Sequence, residues 1–325
     1  MRWRNGFAIG LLASFATPAS AQTYVSRDIA PVVASIDPLT VTDEDFARNR
    51  DPEAWEGLSV SRISFREGPV TWRLWRIANL RHRDGPLWVL PHDNENATFA
   101  AALIALRSWG GVVIAVDSDP VADSYAARFN AGGGAAPVDP NRNFYDALPL
   151  YAGTILADLG MPPRLIVALH TNEPGFDATL SSCPRPPYGG SGTISIKLCT
   201  ARFHPSASIG RAWPFDDDDT LALTPYPVDG DPRGAFCARR LGAADFNIVF
   251  ERVTISDGSL SNYASLHGLR YVNLETAETG STPAGLAGAR NRLVAMIDRM
   301  MTLCGDGPTL ALSPPAAHLA TAARH

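Results

Sequence analysis

The chain has 325 residues, of which 46% are hydrophobic and 19% are charged, and its formal net charge at pH 7 is −5. This is enough apolar material for a sizeable core, in one large domain or in two small ones. The sequence contains no basic cluster, which argues against a nucleic-acid partner.

The first residues have the pattern of a secretory signal peptide. Two arginines precede the apolar run Phe7 to Phe15, and the small residues Ala19-Ser20-Ala21 form a cleavage site. This run is too short to span a bilayer, and no later run is long and apolar enough to do so. We therefore predict a signal peptide over residues 1–21, no stable membrane insertion, and a periplasmic or secreted product that starts near Gln22.

The rest of the chain divides into three parts. Residues 22–60 are polar and lack a periodic pattern, so we interpret them as an N-terminal extension that packs on the domain surface. Residues 61–307 carry the patterns of a folded domain, and residues 308–325 are predicted to be a loose C-terminal tail. From Arg62 onwards, alternating apolar and polar residues predict two antiparallel strands joined by a turn at Gly68-Pro69.

Continuous apolar runs follow, and they alternate with helical patterns. A helix is predicted from Asn96 to Trp109, and a second one begins after Thr282-Pro283 and ends at Gly305. Strands covered on both faces are predicted at Leu87–Leu90, Val112–Val116, Leu165–Leu169, Phe246–Phe250 and Tyr271–Leu274. This alternation is typical of an α/β sandwich with a largely parallel sheet at its centre.

Cysteine usage is consistent with export. The chain has four cysteines, an even number that favours disulfides in an oxidising compartment, and no C-x-x-C pair typical of a zinc site. Cys183 and Cys199 bracket a loop rich in proline and glycine and are the favoured pair. With Cys237 and Cys304 as the other two, all three connectivities stay open.

Ionisable side chains follow three of the predicted strands. His92 and Glu95 come after the first run, His170 directly follows Leu169, and Glu275 directly follows Leu274. In open α/β sheets, ligands bind outside the carboxyl ends of the strands, so we expect these side chains to meet at one edge of the sheet. A lone H-x-x-E pattern occurs by chance, and a single histidine is more often structural. Their coincidence at several strand ends is what indicates a site.

Two histidines and one glutamate suit a single catalytic Zn²⁺ ion. Three protein ligands leave a fourth position for water, whose pKa the ion lowers to about 7. Glu275 is then placed to act as general base towards that water and as general acid towards the leaving amine. Glu278 or Glu173 could replace it in this role.

Asn141 and Arg142 form a candidate site for a substrate carboxylate. They follow the flexible stretch Gly132-Gly133-Gly134. The planar guanidinium of arginine binds a carboxylate through two parallel hydrogen bonds, and a neighbouring amide can complete the cradle. The alternative is an ordinary turn with an exposed arginine.

Four segments together resemble the zinc carboxypeptidase superfamily and, within it, the succinylglutamate desuccinylase/aspartoacylase-like branch. In chain order they are His92-Asp93-Asn94-Glu95, Asp139-Pro140-Asn141-Arg142, Leu169-His170-Thr171 and Asn273-Leu274-Glu275-Thr276. The resemblance implies a three-layer α/β/α sandwich with a mixed, twisted sheet.

The same resemblance makes His92, Glu95 and His170 the zinc ligands and Glu275 the catalytic carboxylate. It also makes Asn141 and Arg142 the carboxylate binders, with Arg128 a candidate to polarise the scissile carbonyl. Tyr263 is the nearest counterpart of the mobile-loop tyrosine of carboxypeptidases.

The sequence thus predicts an exported zinc metallohydrolase of the carboxypeptidase or amidase type. Its substrate would carry an amide next to a free carboxylate, and export favours cell-wall peptides, including peptidoglycan. One alternative is a deacylase of small N-acyl amino acids. Another is a non-catalytic peptide-binding relative, against which the retention of Glu275 argues.

Overall fold

The computed structural model describes residues 28–118, 125–130, 137–172, 194 and 202–305. Within this part of the chain, ten strands form one mixed sheet, and helices cover both of its faces. The strands are β1 (Ile29–Ser35), β2 (Leu58–Glu67), β3 (Val70–Asn79), β4 (Leu87–Leu90), β5 (Val112–Val116), β6 (Ile166–Asn172), β7 (Phe203–Ser206), β8 (Leu221–Pro227), β9 (Ile248–Val253) and β10 (Tyr271–Ala277). The α-helices are α1 (Glu44–Arg48), α2 (Pro52–Trp55), α3 (Asn96–Trp109), α4 (Pro149–Ile155), α5 (Ala238–Ala243), α6 (Leu260–Leu266) and α7 (Pro283–Cys304). Short 3-10 helices lie at Pro38–Thr40, Tyr125–Arg128, Pro140–Arg142, Leu156–Asp158 and Pro232–Gly234.

The order of the strands across the sheet is β1-β2-β3-β5-β4-β6-β10-β8-β9-β7. The four central strands β5, β4, β6 and β10 pair in parallel, as do β8 and β9. The other neighbouring strands are antiparallel. The predicted α/β/α sandwich with a mixed sheet is confirmed, and its parallel pairing is concentrated at the centre.

Alternation along the central strands builds two cores. In β4, Trp88 and Leu90 face one core, whereas Leu87 and Val89 face the other. The first core is closed by α3 and α7 and the second by α4 and α6. Each fully buried Val, Leu or Ile contributes about 1.5–3 kcal/mol to the free energy of unfolding, so these two layers hold the central strand ends in place.

The N-terminal segment is joined to both the sheet and the first core. Strand β1 pairs with β2 at the edge of the sheet, and all seven of its residues are exposed. Helix α1 contributes Phe46, whose ring is fully buried and packs on Trp55, Trp75 and Phe99. This contact fixes α1 against the sheet, next to the carboxyl end of β5.

The predicted hairpin and the two predicted helices are confirmed. Helix α7 begins after Thr282, whose hydroxyl oxygen accepts a hydrogen bond from the Gly285 backbone N–H. The predicted ends of β6 and β10 were wrong. Their parallel ladder continues to Asn172 and Ala277, because backbone pairing between neighbouring strands does not require apolar side chains. His170 and Glu275 consequently lie within strands instead of directly after them.

One disulfide lies within the described residues. Cys237, just before α5, is bonded to Cys304 at the end of α7, with Cα atoms 5.6 Å apart. Cys183 and Cys199, the pair favoured by the sequence, lie outside the described residues, as do the predicted signal peptide and C-terminal tail. No helix in the described ranges is long and apolar enough to cross a membrane.

Candidate metal centre

His92, Glu95 and His170 meet at the carboxyl edge of β4 and β6. Pro91 follows the last residue of β4, and the chain turns so that the Glu95 N–H donates to the His92 carbonyl at 3.3 Å. His170 lies on β6, the parallel neighbour of β4. Two adjacent strands with the same direction therefore bring the three side chains together at one edge of the sheet.

The three side chains are buried and in direct contact. Nδ1 of His92 lies 2.8 Å from Oε1 of Glu95 and 3.1 Å from Nδ1 of His170. Nδ1 of His170 lies 3.2 Å from the other carboxylate oxygen of Glu95. The exposed fractions are only 3%, 5% and 5%. In the described part of the chain, this is the one group of three or more His, Cys, Asp or Glu residues whose ligand atoms all lie within 4.8 Å of one another.

This geometry fits a shared cation. Tetrahedral zinc with bonds of about 2.1 Å places neighbouring ligand atoms roughly 3.4 Å apart, and the separations between these atoms are only slightly shorter, at 2.8–3.2 Å. Two imidazole nitrogens facing each other across one carboxylate are also the donor set that divalent zinc prefers. His92, Glu95 and His170 could therefore hold a metal ion.

Asp139 orients the first of these histidines. Its Oδ1 atom lies 2.9 Å from Nε2 of His92, on the side of the ring away from Glu95. A carboxylate at this position fixes the tautomer, so that Nε2 carries the proton and the Nδ1 lone pair faces the centre. Asp139 belongs to the Asp-Pro-Asn-Arg segment identified in the sequence, but its role in orienting His92 was not predicted. Metal-ligating histidines commonly donate a hydrogen bond from their second ring nitrogen to a carboxylate, and this rule could have identified Asp139.

The ionisable groups of the centre shift one another's pKa values. Burial acts to lower the pKa of His92, but the charge of Glu95 and the bond to Asp139 outweigh it, so that pKa lies above its ordinary value. Burial acts to raise the pKa of Glu95, yet His92 and His170 hold it well below its usual range. For Asp139, the histidine bond likewise outweighs burial and lowers the pKa to about 2. Both carboxylates are therefore ionised at neutral pH, as metal coordination and histidine orientation require.

Glu275 lies beside His170. The two residues are register partners in the parallel ladder of β6 and β10, so their side chains emerge on the same face. Oε1 of Glu275 accepts a hydrogen bond from Nδ2 of Asn273 at 2.7 Å. Burial raises the pKa of Glu275, and the negative charge of Glu95 adds to this effect. A carboxylate with a raised pKa next to the centre is well suited to take up a proton.

Arg128 is also brought to the centre. Its Nη1 lies 3.1 Å from Oε1 of Glu95, and its Nε lies 3.5 Å from Oδ2 of Asp139. It lines a cavity of about 400 Å³ together with Glu95, Thr171 and Glu278. Glu278, an alternative to Glu275 in the sequence, thus faces the same cavity, whereas Glu173 lies outside the described residues.

The predicted carboxylate binders are tied to the centre through their backbone. Asp139 caps the short 3-10 helix that carries Asn141 and Arg142 by accepting from the Asn141 N–H at 2.8 Å. Arg142 is exposed, and its guanidinium donates to the Asn141 carbonyl at 2.6 Å. Oδ1 of Asn141 accepts from the Leu260 N–H at 3.1 Å, at the start of α6.

Tyr263 does not occupy a loop. It lies on α6, and its ring stacks on that of His267 with ring centroids 3.9 Å apart. Its ring also packs near Phe144, at 6.2 Å between centroids, which places it at the margin of the second core. Tyr263 is therefore held by helix packing in this structure.

Comparisons with known proteins give similarities at the level of structure. No family model and no curated protein matches the sequence. Among solved structures, a succinylglutamate desuccinylase from Chromobacterium violaceum is 13% identical, with 77% of this chain and 70% of that chain covered and a TM-score of 0.36. The ectoine utilization protein EutE (DoeB) from Ruegeria pomeroyi is 16% identical, with 82% and 70% covered and a TM-score of 0.36. A candidate metallopeptidase from Shewanella denitrificans OS217 is 13% identical, with 85% and 97% covered and a TM-score of 0.42. Similarity of this extent assigns neither a family nor an activity to this chain.

Proposed function

We propose that this chain is a metal-dependent hydrolase, with Zn²⁺ as its ion, that cleaves an amide bond next to a free carboxylate. The observation that carries the proposal is the buried convergence of His92, Glu95 and His170, with Glu275 as a second carboxylate beside them. A divalent cation held there supplies a Lewis acid that lowers the pKa of water and polarises a carbonyl oxygen.

The side chains of this chain supply the proton transfer and the positioning. Asn273 holds Oε1 of Glu275, which leaves Oε2 to accept a proton from the attacking water and to deliver it to the leaving amine. Arg128, paired with both Glu95 and Asp139, keeps a positive charge beside the place where the scissile carbonyl would lie. Asp139 holds His92 in the tautomer that leaves Nδ1 free to bind the ion.

The proposed substrate class is supported by an exposed cation on the turn that Asp139 caps. Arg142 is exposed next to the Asn141 amide, a combination that suits a terminal carboxylate. The disulfide Cys237–Cys304 supports an oxidising compartment, where cell-wall and other peptides are the available substrates. A periplasmic or secreted peptidase acting on such peptides is our first candidate. The second is a deacylase of small N-acyl amino acids, because a cavity of about 400 Å³ beside Glu95 would also admit so small a substrate.

The test separates metal binding from catalysis. Glu275→Gln should still bind one metal ion per chain, while hydrolysis of a panel of muropeptides, short peptides and N-acyl amino acids falls by about 10²–10⁴-fold. Glu278→Gln, which alters a carboxylate that lines the cavity beside Glu95, should retain most of the activity. Full activity of Glu275→Gln would remove this residue as the base. A wild-type protein that binds metal but hydrolyses none of the panel would contradict the proposed function.

A further inference from the structure

A cavity of about 430 Å³ lies at the edge of the sheet opposite to the metal centre. We call it the arginine cavity, because its walls include Arg233, Arg239, Arg240 and Arg270. Arg270 directly precedes β10, and Glu275 lies five residues further along the chain, on that strand. At about 3.3 Å per residue, Arg270 is roughly 16 Å from the proposed catalytic carboxylate. The arginine cavity is therefore separate from the candidate metal centre.

The positive charges of this cavity are not balanced by ion pairs. In the described part of the chain, no carboxylate forms an ion pair with Arg233, Arg239 or Arg240. Asp231 precedes this group in the sequence, and its carboxylate accepts the backbone N–H of Arg233 at 2.8 Å. Like charges around one cavity repel one another, so an anion bound between them would be stabilised.

The arginine side chains retain hydrogen-bond donors that solvent can reach. Arg233, Arg239 and Arg240 are all exposed. Nη1 of Arg240 donates to the Leu303 carbonyl at 2.7 Å, which anchors this side chain at the end of α7. A guanidinium has five N–H donors, so Arg240 keeps further donors for a ligand. The side chains of Arg233 and Arg239 donate to no acceptor among the described residues.

A disulfide and aromatic packing fix the walls of the arginine cavity. Cys237 and Cys304 both line it, and their bond joins the start of α5, which carries two of the arginines, to the end of α7. The guanidinium of Arg270 lies 5.9 Å from the centre of the Phe236 ring, and Phe236 packs against the first core. Groups that are held in place before a ligand arrives lose less entropy when it binds.

The number of cations favours a phosphate group over a carboxylate. A phosphate monoester carries a charge of about −1.5 to −2 at neutral pH and three acceptor oxygens, whereas a carboxylate carries a single charge and two oxygens. The planar guanidinium binds such oxygens through pairs of parallel hydrogen bonds. A cavity of about 430 Å³ is within the range of small-ligand sites, so it also admits an organic group beside the phosphate.

We propose that the arginine cavity binds a small phosphate monoester, with the phosphate group held by Arg233, Arg239, Arg240 and Arg270. The site goes beyond the proposed function and does not depend on it, because none of its residues belongs to the metal centre.

The first test observes the cavity directly. In the ¹⁵N-labelled, zinc-loaded full chain, the Nε resonance of Arg240 is identified through Arg240→Lys and followed during titration with methyl phosphate. We expect this resonance to shift and to saturate, while sodium chloride at the same ionic strength leaves it in place. Acetate should bind at least about tenfold more weakly. A resonance that stays in place, or moves without saturation, would overturn the site, and equal binding of acetate would overturn the choice of phosphate.

The second test compares two arginine variants by the same titration. Arg239→Gln should weaken methyl phosphate binding at least about fivefold, because it removes one of the charges that no carboxylate balances. Arg290→Gln is the matched control, since Arg290 lies on α7 roughly 21 Å before Cys304 and its guanidinium donates to Asn291. It should bind methyl phosphate as wild type does. Equal affinity of Arg239→Gln and wild type would contradict the proposal.

A vesicle assay distinguishes a soluble ester from a lipid headgroup. We expect the full chain to stay in the supernatant when it is centrifuged with phosphatidylcholine vesicles that contain phosphatidic acid. Sedimentation that Arg239→Gln abolishes would assign the phosphate to a lipid and overturn the small-molecule ligand. A chain that binds methyl phosphate but hydrolyses no peptide or N-acyl amino acid would sustain this site while the proposed function fails.

Discussion

At the scale of single residues, two of the three candidate metal ligands, His92 and Glu95, are each held by a polar neighbour. Asp139 holds Nε2 of His92, and the Thr171 N–H donates to Oε2 of Glu95 at 2.9 Å. Such partners fix the orientation of a ligand before the ion arrives, which reduces the entropy lost on binding. Ligand identity alone therefore does not set the metal affinity of this site.

Removal of the Asp139 carboxylate should weaken metal binding. We expect Asp139→Ala to lower zinc affinity by about 10–100-fold, since the His92 ring loses its orienting partner. Competition with a chromophoric chelator measures this directly. Asp231→Ala is the matched control, because Asp231 caps another short 3-10 helix by accepting from the Arg233 N–H, without contact to the metal centre. Equal zinc affinity of Asp139→Ala and the control would contradict the role of Asp139.

The pH dependence of catalysis should report on Glu275. Burial favours its protonated form and raises its pKa, whereas the Asn273 hydrogen bond favours the carboxylate and lowers it. Because the general base must be deprotonated, activity is lost as pH falls through this pKa. Asn273→Ala removes the lowering contribution, so the acid limb of the kcat/KM profile should move to higher pH. An acid limb that stays in place or moves down would show that another group is the base.

At the scale of secondary-structure elements, the Asn141–Arg142 turn rests on the start of α6. The Phe144 N–H donates to the Gly258 carbonyl at 2.9 Å, and Gly258 has a φ of +81°. A Cβ atom at Gly258 would lie 2.6 Å from the Arg142 carbonyl oxygen and 2.5 Å from the Tyr145 hydroxyl. Only glycine allows this close approach, which positions the proposed carboxylate binders.

Gly258→Ala should therefore displace the turn. We expect a higher KM for substrates with a free carboxylate, while zinc affinity stays close to that of wild type. Gly268→Ala is the matched control, because its φ of +64° carries a similar backbone cost of about 1–2 kcal/mol but its Cβ would meet open space. If both variants show the KM of wild type, the turn does not bind the substrate.

Elements with local signals were predictable from the sequence, and those set by long-range pairing were not. Helix α7 was marked by the Thr282 cap and Gly305, and the β2–β3 hairpin by its alternation and turn. The ends of β6 and β10 depend on each other's backbone through a parallel ladder, which no local pattern encodes. The contact of Asp139 with His92 is likewise long-range, so the role of Asp139 could not be predicted from the residues around it.

At the scale of the whole molecule, strand order explains why distant residues converge. Strands β4, β6 and β10 are consecutive neighbours with one direction, so His92, His170 and Glu275 reach the same edge. This convergence could be predicted, because buried strands that end in polar residues can be recognised in the sequence. The cavity of about 620 Å³ that Asp43, Asp93 and Asp117 line could not be predicted, because Asp43 reaches it only through the packing of α1 on the sheet by way of Phe46.

The central claim is that His92, Glu95 and His170 hold one divalent cation. Anomalous X-ray scattering at the zinc absorption edge, on crystals of the zinc-loaded full chain, tests it most directly. We predict a peak about 2 Å from Nδ1 of both histidines and from the Glu95 carboxylate, and the loss of that peak in His92→Ala. Zinc bound elsewhere, with no peak among these three side chains, would contradict the account.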